Sequence, residues 1–107
     1  MDRNKLLEVH KTTCEAARLL MEKKNQDYAT NLSVFENLDM CEAVGLTSTE
    51  KGILIRIQDK LTRLRILLDK PPHVKDESFD DSARDVINYV VLLIAKRSTR
   101  EASKTPD

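Results

Sequence analysis

Apolar residues recur along much of the chain with the period of an α-helix. Over residues 3–24 they fall on one face, while Glu8, Glu15 and Glu22 lie opposite and are typical of a solvated surface. The members of the apolar face are Leu6, Val9, Thr13, Ala16, Ala17, Leu20 and Met21. This spacing predicts a first long helix that packs along one side.

The next part of the chain predicts a short helix followed by a second long helix. Residues 34–44 suit the short helix, and Gly45 suits its C-terminal cap. Thr47 and Glu50 have the spacing of a capping box, so the second long helix is expected to run from there through Leu68.

This second long helix carries apolar residues on two sides. Its main stripe consists of Ile53, Ile57, Leu61, Leu64 and Leu68. At about 100° per residue, Ile55 and Ile66 fall on the far side of that stripe. A helix that is apolar on two sides suits packing between two partners, which in a chain of 107 residues favours a homo-oligomer.

A third long helix is expected after the paired prolines at 71–72, because neither proline can continue the preceding helix. Its apolar pattern runs to about Arg97. No segment alternates in the manner of a β-strand, so the predicted fold class is an all-α helical bundle of three long helices and one short helix. Residues 1–97 are expected to form a single domain and residues 98–107 a flexible C-terminal tail.

Composition narrows the class of protein. Lys plus Arg and Asp plus Glu each number 18, so the net charge of zero gives no support for general nucleic-acid binding. The longest apolar run is too short to span a bilayer, and the N-terminal residues lack the apolar core of a signal peptide. The two cysteines, which have no CxxC spacing, favour buried thiols in a reducing compartment. We therefore expect a cytoplasmic protein, in the host cytoplasm if it is viral, with no membrane partner.

An acidic stripe on the third long helix is the first candidate for chemistry. Glu77, Asp81, Asp85 and Asn88 fall within about 80° of one another. Acidic residues near a helix start favour the helix dipole, and this is one sufficient explanation. Carboxylates aligned at i, i+4 and i+8 also repel one another unless a hard cation bridges them. The second explanation therefore makes the three carboxylates ligands of Mg²⁺ in a cleft.

The second long helix supplies a mixed face of charges. Arg56, Asp59, Lys60 and Arg63 follow i, i+3, i+4, i+7 spacing and therefore share one side. These residues either form local salt bridges or act together on a ligand. If they act on a ligand, Asp59 joins the metal ligands, and Lys60 and Arg63 bind phosphate oxygens.

Polar residues near the short helix complete the candidate binding set. Lys24 and Asp27 follow the first long helix. Tyr28 either stacks on a base or packs against the protein, and Asn37 either reads a base edge or caps a turn. Asn88, at the end of the acidic stripe, belongs to the same set.

Four short motifs occur in order along the chain. They are K-x-x-D-Y (Lys24, Asp27, Tyr28), F-x-N (Phe35, Asn37), R-x-x-D-K-x-x-R (Arg56 to Arg63) and D-E-S-x-x-D-x-x-x-D-x-x-x-Y (Asp76 to Tyr89). Over roughly residues 15–95, this order resembles a phage and bacterial family called nucleotide modification associated domain. That family is similar in turn to the all-α NTP pyrophosphatases of MazG and dimeric dUTPase type.

The resemblance implies a helical bundle assembled as a dimer or tetramer. It also implies Mg²⁺ or Mn²⁺ held by acidic residues on two helices, and hydrolysis of a (deoxy)nucleoside triphosphate to monophosphate and pyrophosphate. Asp59, Glu77, Asp81 and Asp85 would hold the metal, and one of these carboxylates would orient the attacking water. The biological setting implied is nucleotide-pool or base-modification metabolism.

The chain departs from the MazG pattern in its carboxylates. The expected E-x-x-E pair is reduced to Asp59, with Arg56 three residues earlier, and the later pair appears as Asp81 and Asp85, spaced by four. Fewer carboxylates neutralise a metal less well. An alternative function is therefore a non-catalytic protein that binds and sequesters a nucleotide or cyclic nucleotide. A second alternative is a helical interaction module in which every charge serves the surface or a helix dipole.

Overall fold

The computed structural model describes residues 1–27, 34–70 and 77–104, although the side chains of residues 25–27, 77, 78, 103 and 104 are not described. This part of the chain forms four helices and no strand: α1 (Arg3–Asp27), α2 (Glu36–Ala43), α3 (Thr49–Leu68) and α4 (Glu77–Lys104). The prediction of an all-α fold with three long helices and one short helix is confirmed. None of the described helices combines the length and the apolar character needed to cross a membrane.

Side-chain caps define where two of the long helices begin. Asp2 accepts a hydrogen bond at Oδ1 from the Lys5 amide at 2.8 Å, at the start of α1. Ser48 caps α3 in the same way, since its hydroxyl accepts from the Lys51 amide at 3.2 Å. The cap predicted at Thr47 is therefore wrong by one residue, because the Thr47 amide still bonds back to the end of α2.

Gly45 ends α2 as the sequence predicts. Its φ of +83° lies in the left-handed region, which glycine adopts without a steric penalty. The Gly45 amide donates to the Glu42 carbonyl at 3.0 Å, and the Leu46 amide donates to the Cys41 carbonyl at 2.9 Å. These two bonds form a Schellman motif and turn the chain toward α3.

The α3 and α4 helices form the central antiparallel pair of the bundle. Ion pairs near the two ends of their contact show the direction, with Arg100 beside Glu50 and Lys60 beside Asp85. The short α2 packs on α3, and α1 packs on α4. All four helices therefore lie around one another closely enough to line a common cleft.

The buried core of the bundle is small. Its members are Ala17, Phe35, Ile53, Ile57 and Leu67, with the polar residues Thr49 and Ser82. Leu6 (57% exposed), Leu61 (51%) and Leu68 (70%) were expected to face inward, but no helix in the described part of the chain covers these flanks. Cys14 is also exposed, so the expectation of a buried thiol is wrong there.

The last helix is longer than its apolar pattern predicts. It extends to Lys104, whereas the sequence placed its end near Arg97. Arg100 Nε binds Glu50 Oε2 at 2.7 Å, and the guanidinium also binds Glu42. These ion pairs hold the C-terminal turns of α4 against α2 and α3. Residues 98–104, which were expected in a flexible tail, are therefore helical.

A second polar cluster fixes α2 to α3 and α4. The Asp39 carboxylate accepts from Thr49 Oγ1 at 2.8 Å and binds Lys96 Nζ at 3.0 Å. Lys96 also lies 5.1 Å from the centre of the Phe35 ring, within cation–π range. Burial acts to raise the pKa of Asp39, but the bonds from Lys96 and Thr49 outweigh it and hold that pKa below its ordinary value.

Gly52 provides a test of the packing between α2 and α3. A Cβ added there would lie 2.6 Å from Cys41 Sγ, which donates to the carbonyls of Leu38 and Ser48. We expect Gly52→Ala to lower the free energy of unfolding by about 1–2 kcal/mol, because overpacking outweighs the better helix propensity of Ala. Denaturant titration measures this change. Adding Cys41→Ala should recover most of the loss, and simple additivity of the two substitutions would contradict the proposed contact.

Candidate functional site

The carboxylate of Asp85 on α4 joins three helices. Its Oδ2 accepts from Lys60 Nζ of α3 at 2.9 Å, and its Oδ1 accepts from Lys24 Nζ of α1 at 3.4 Å. The Asp85 side chain is only 17% exposed, so these charges interact in a partly desolvated environment. Two cations share one anion, which leaves a net positive charge at this point.

The pKa of Asp85 lies below its ordinary value. Partial burial acts to raise this pKa, but the hydrogen bond from Lys60 and the charges of Lys24 and Lys60 lower it by more. The carboxylate is therefore ionised at neutral pH and remains paired with both ammonium groups.

A cleft of about 190 Å³ opens beside this cluster. Five residues that the sequence predicted as site residues line it, and together they come from all four helices: Lys24, Asn37, Arg56, Asp85 and Asn88. Lys60 adjoins the same cluster through its bond to Asp85. The structure therefore brings six of the predicted residues to one place.

A second cavity of about 420 Å³ adjoins the cleft. The two share Asn37, Leu38 and Arg56 in their walls, and the remaining wall of the second cavity is largely apolar, with Val44 and Ile55 among its members. A ligand with a charged end and a flat or apolar end could occupy both cavities at once.

Asn88 has a structural role in addition to its place in the cleft. Its side-chain amide donates to the backbone carbonyl of Ala17 at 3.0 Å. Ala17 is almost fully buried, so this bond holds the middle of α1 against α4. The position of Lys24 over Asp85 depends on α1 remaining in that place.

Three predicted site residues lie away from the cleft. Asp59 and Arg63 are exposed on α3. The Asp81 side chain is 68% exposed and binds Arg84 of its own helix at 3.2 Å. The remaining predicted residues have side chains outside the described part of the structure, and these are Asp27, Tyr28 and Glu77.

The described carboxylates do not fit a Mg²⁺ site, which requires several oxygen ligands around one point. Both oxygens of Asp85 are bonded to ammonium groups, and Asp81 and Asp59 project toward solvent. Among the residues whose side chains the structure describes, no three His, Cys, Asp or Glu residues come close enough to hold a metal ion. The predicted Mg²⁺ or Mn²⁺ site, which also includes Glu77, stays a prediction.

Sequence reasoning did not assign Tyr89 and Leu38 to the site, although both line the cleft. A signal for Tyr89 exists, because it follows Asp85 by four residues on one helix and therefore lies near it. Leu38 belongs to α2, which is too short to show a clear period.

Comparison of the chain with models of protein families, with curated proteins and with solved structures found no match. The resemblance drawn from the four motifs therefore stays a prediction.

The lowered pKa of Asp85 predicts a specific acid sensitivity. Because this pKa is depressed in the folded state, the stabilisation it provides is present above the unfolded pKa and is lost as pH falls through the folded value. We expect the free energy of unfolding to decrease below about pH 4, and Asp85→Asn to make that decrease shallower. Denaturant titrations across acidic pH measure both slopes. Asp59→Asn, at an exposed position, is the control, and equal slopes for both variants would contradict the assignment.

Proposed function

We propose that this protein binds a small anionic ligand of the nucleotide class in the cleft formed by its four helices. The observation that supports this most directly is the convergence of Lys24, Arg56 and Asn37 from three helices on the wall of one cleft. Such a set of donors suits phosphate oxygens at one end of a ligand and a base or sugar edge at the other.

The charge of the site favours an anion. Lys24 and Lys60 bind the carboxylate of Asp85, and Arg56 lines the same cleft. Positive groups therefore exceed negative ones by two among these four residues. Arg56 has no carboxylate partner within the described part of the chain, and its guanidinium is therefore available to a ligand. A planar guanidinium binds two phosphate oxygens at once, which adds direction to the charge attraction.

The apolar part of the cleft suits a flat organic group. Tyr89 and Leu92 lie on the wall with Leu38, next to the polar donors. Aromatic side chains stack on nucleobases and contribute about 1–3 kcal/mol per base. The cleft and the adjoining cavity, about 190 and 420 Å³, together fall within the range of roughly 300–1,000 Å³ that is usual for small-molecule sites.

Binding without turnover agrees best with the state of Asp85. Two ammonium groups occupy its oxygens, so the residue acts here as the counter-ion that positions Lys24 and Lys60. A non-catalytic role as a nucleotide or cyclic-nucleotide binding protein requires no further group.

A metal-dependent (deoxy)nucleoside triphosphate pyrophosphohydrolase is the second candidate. It is favoured by the position of Asp85, whose carboxylate lies in the same cleft as the proposed phosphate-binding cations. The residues of this chain would orient the substrate through Lys24 and Arg56.

The proposal includes a homo-oligomer, either a dimer or a tetramer. Large apolar side chains of α3 that line neither cavity are more than half exposed: Leu54, Leu61, Ile66 and Leu68. Association with further copies would cover such surfaces.

Replacing Arg56 tests the binding site directly. We expect Arg56→Gln to weaken nucleotide binding about ten-fold or more, because it removes a charge-assisted hydrogen bond. Calorimetry with a panel of nucleoside mono- and triphosphates, in EDTA and in Mg²⁺, measures the dissociation constants. Arg65→Gln is the matched control, since Arg65 is exposed on the same helix and lines neither cavity. Equal affinities for the two variants, or no binding by the wild type, would contradict the proposed site.

Replacing Asp85 separates the two candidate functions. If the protein only binds its ligand, Asp85→Asn removes a negative charge from the cleft wall, while the bond from Asn88 to the Ala17 carbonyl still holds α1. We therefore expect nucleotide affinity to be retained or to increase, without a requirement for Mg²⁺. Under the hydrolytic function the same change removes a metal ligand, and pyrophosphate release in Mg²⁺ should be lost. Pyrophosphate release by the wild type, together with its loss in Asp85→Asn, would establish the hydrolase and overturn the non-catalytic function.

A further inference from the structure

We propose that a second copy of this chain packs along the outer face of α4 in an antiparallel, two-fold contact. The contact is formed by what we call the α4 seam: Asp80, Ala83, Ile87, Val90, Ile94 and Arg97. This inference specifies the oligomer of the proposed function, and it does not depend on which ligand occupies the cleft.

The α4 seam is apolar in its middle and partly exposed to solvent, and its N-terminal part adjoins Val9 and Thr13 of α1. Val90 is 41% exposed and Ile94 is 61% exposed, while Ala83 and Ile87 are half-buried. The spacing of the seam residues alternates between three and four, as in the contact stripe of a coiled coil. Large apolar residues with this spacing normally face another helix.

The seam lies on the side of α4 that faces away from the cleft. At about 100° per residue, the cleft residues Asp85, Asn88 and Leu92 are roughly opposite Val90 and Ile94 around the helix axis. A partner on the seam therefore leaves both clefts of a dimer open.

The seam is complementary to itself in an antiparallel register. A two-fold axis between residues 88 and 89 pairs Ile87 with the partner's Val90 and Ala83 with the partner's Ile94, so a small side chain meets a large one. The same axis places Asp80 beside the partner's Arg97, and the pair occurs twice. Four apolar pairs therefore lie between two pairs of opposite charge. A parallel arrangement would place Asp80 beside Asp80 and Arg97 beside Arg97 and would lose these attractions.

Within the described residues, neither charged end of the seam forms a buried ion pair. Arg97 binds Glu101 at 3.5 Å, with both side chains about 70% exposed, which is a weak surface pair. Asp80 is exposed at the start of α4. Both side chains are therefore accessible to a partner.

Exposed residues of α3 extend the apolar surface beside the seam. Leu54, Leu61 and Leu68 are spaced by seven residues and are 51%, 51% and 70% exposed. They occupy the flank of α3 that points away from Arg56 and the cleft, and hence the same side of the α3–α4 pair as the seam. A partner on the seam would therefore cover these leucines as well.

The first experiment measures the assembly state by sedimentation equilibrium. We expect the wild type to be a dimer or a tetramer and Ile94→Glu to halve that mass, with the dissociation constant raised about 100-fold or more by the buried charge. Leu19→Glu is the matched control, because Leu19 is 58% exposed on α1 and faces away from α4. Circular dichroism verifies that each variant remains helical.

The second experiment tests the register by charge reversal. Asp80→Arg and Arg97→Asp should each weaken the assembly, because each places like charges together across the seam. The chain that carries both changes should recover the wild-type mass, since every cross-seam pair is then opposite in sign again. Recovery in the double variant distinguishes contact across the seam from effects on α4 alone.

Three results would overturn the proposal: a monomeric wild type, an assembly unaffected by Ile94→Glu, or a double reversal that fails to restore it. Nucleotide titration of the same variants keeps the seam separate from the cleft. We expect Ile94→Glu to bind nucleotide as the wild type does. If one of these three results occurs while nucleotide binding is intact, the seam is rejected and the cleft is not. If the assembly behaves as expected but no nucleotide binds, the cleft is rejected and the seam is not.

Discussion

The candidate site depends on the two ion pairs that Asp85 forms with Lys24 and Lys60. A single carboxylate on α4 holds ammonium groups from α1 and α3, and these three helices form most of the cleft wall. Among the described side chains of α1, only Ala17 belongs to the buried core, so the helix has little apolar attachment there. Together with the bond from Asn88 to the Ala17 carbonyl, this ion pair decides where α1 lies on α4.

The part of the cleft wall that α2 supplies depends on a separate cluster of ion pairs between α2 and α4. An isolated helix of eight residues is not stable in water, so α2 requires contacts from the rest of the protein. Asp39 and Glu42 provide them through Lys96 and Arg100, which lie near the end of α4. This cluster places Asn37 beside the cleft, and it explains why α4 continues beyond its apolar pattern.

The balance between core and surface explains why we place the proposed assembly and the proposed ligand on different sides of α4. Few side chains are fully buried, while Val90, Ile94 and the exposed leucines of α3 present apolar area to solvent. The hydrophobic effect therefore favours covering that side. On the other side, Asp85 and its cations cannot be covered by apolar groups without a large desolvation cost, so a polar cleft remains.

Helix number, helix type and most helix ends could be predicted from the sequence. Periodicity and local capping are properties of neighbouring residues, and Gly45 shows this clearly, because only its own backbone conformation is involved. Likewise, Asp85, Asn88 and Arg56 could be selected as candidate site residues because helical spacing places them on polar faces, and all three line the cleft.

The partners of these side chains were decided by the tertiary structure alone. Spacing placed Asp81 and Asp85 on one stripe, but packing left the first in solvent and enclosed the second between two lysines. A helical period fixes the direction of a side chain relative to its own axis and carries no information about which helix lies opposite. The sequence by itself therefore determined the helices and their polar faces. Only the packing of α1 and α3 on α4 decided that the enclosed carboxylate meets cations.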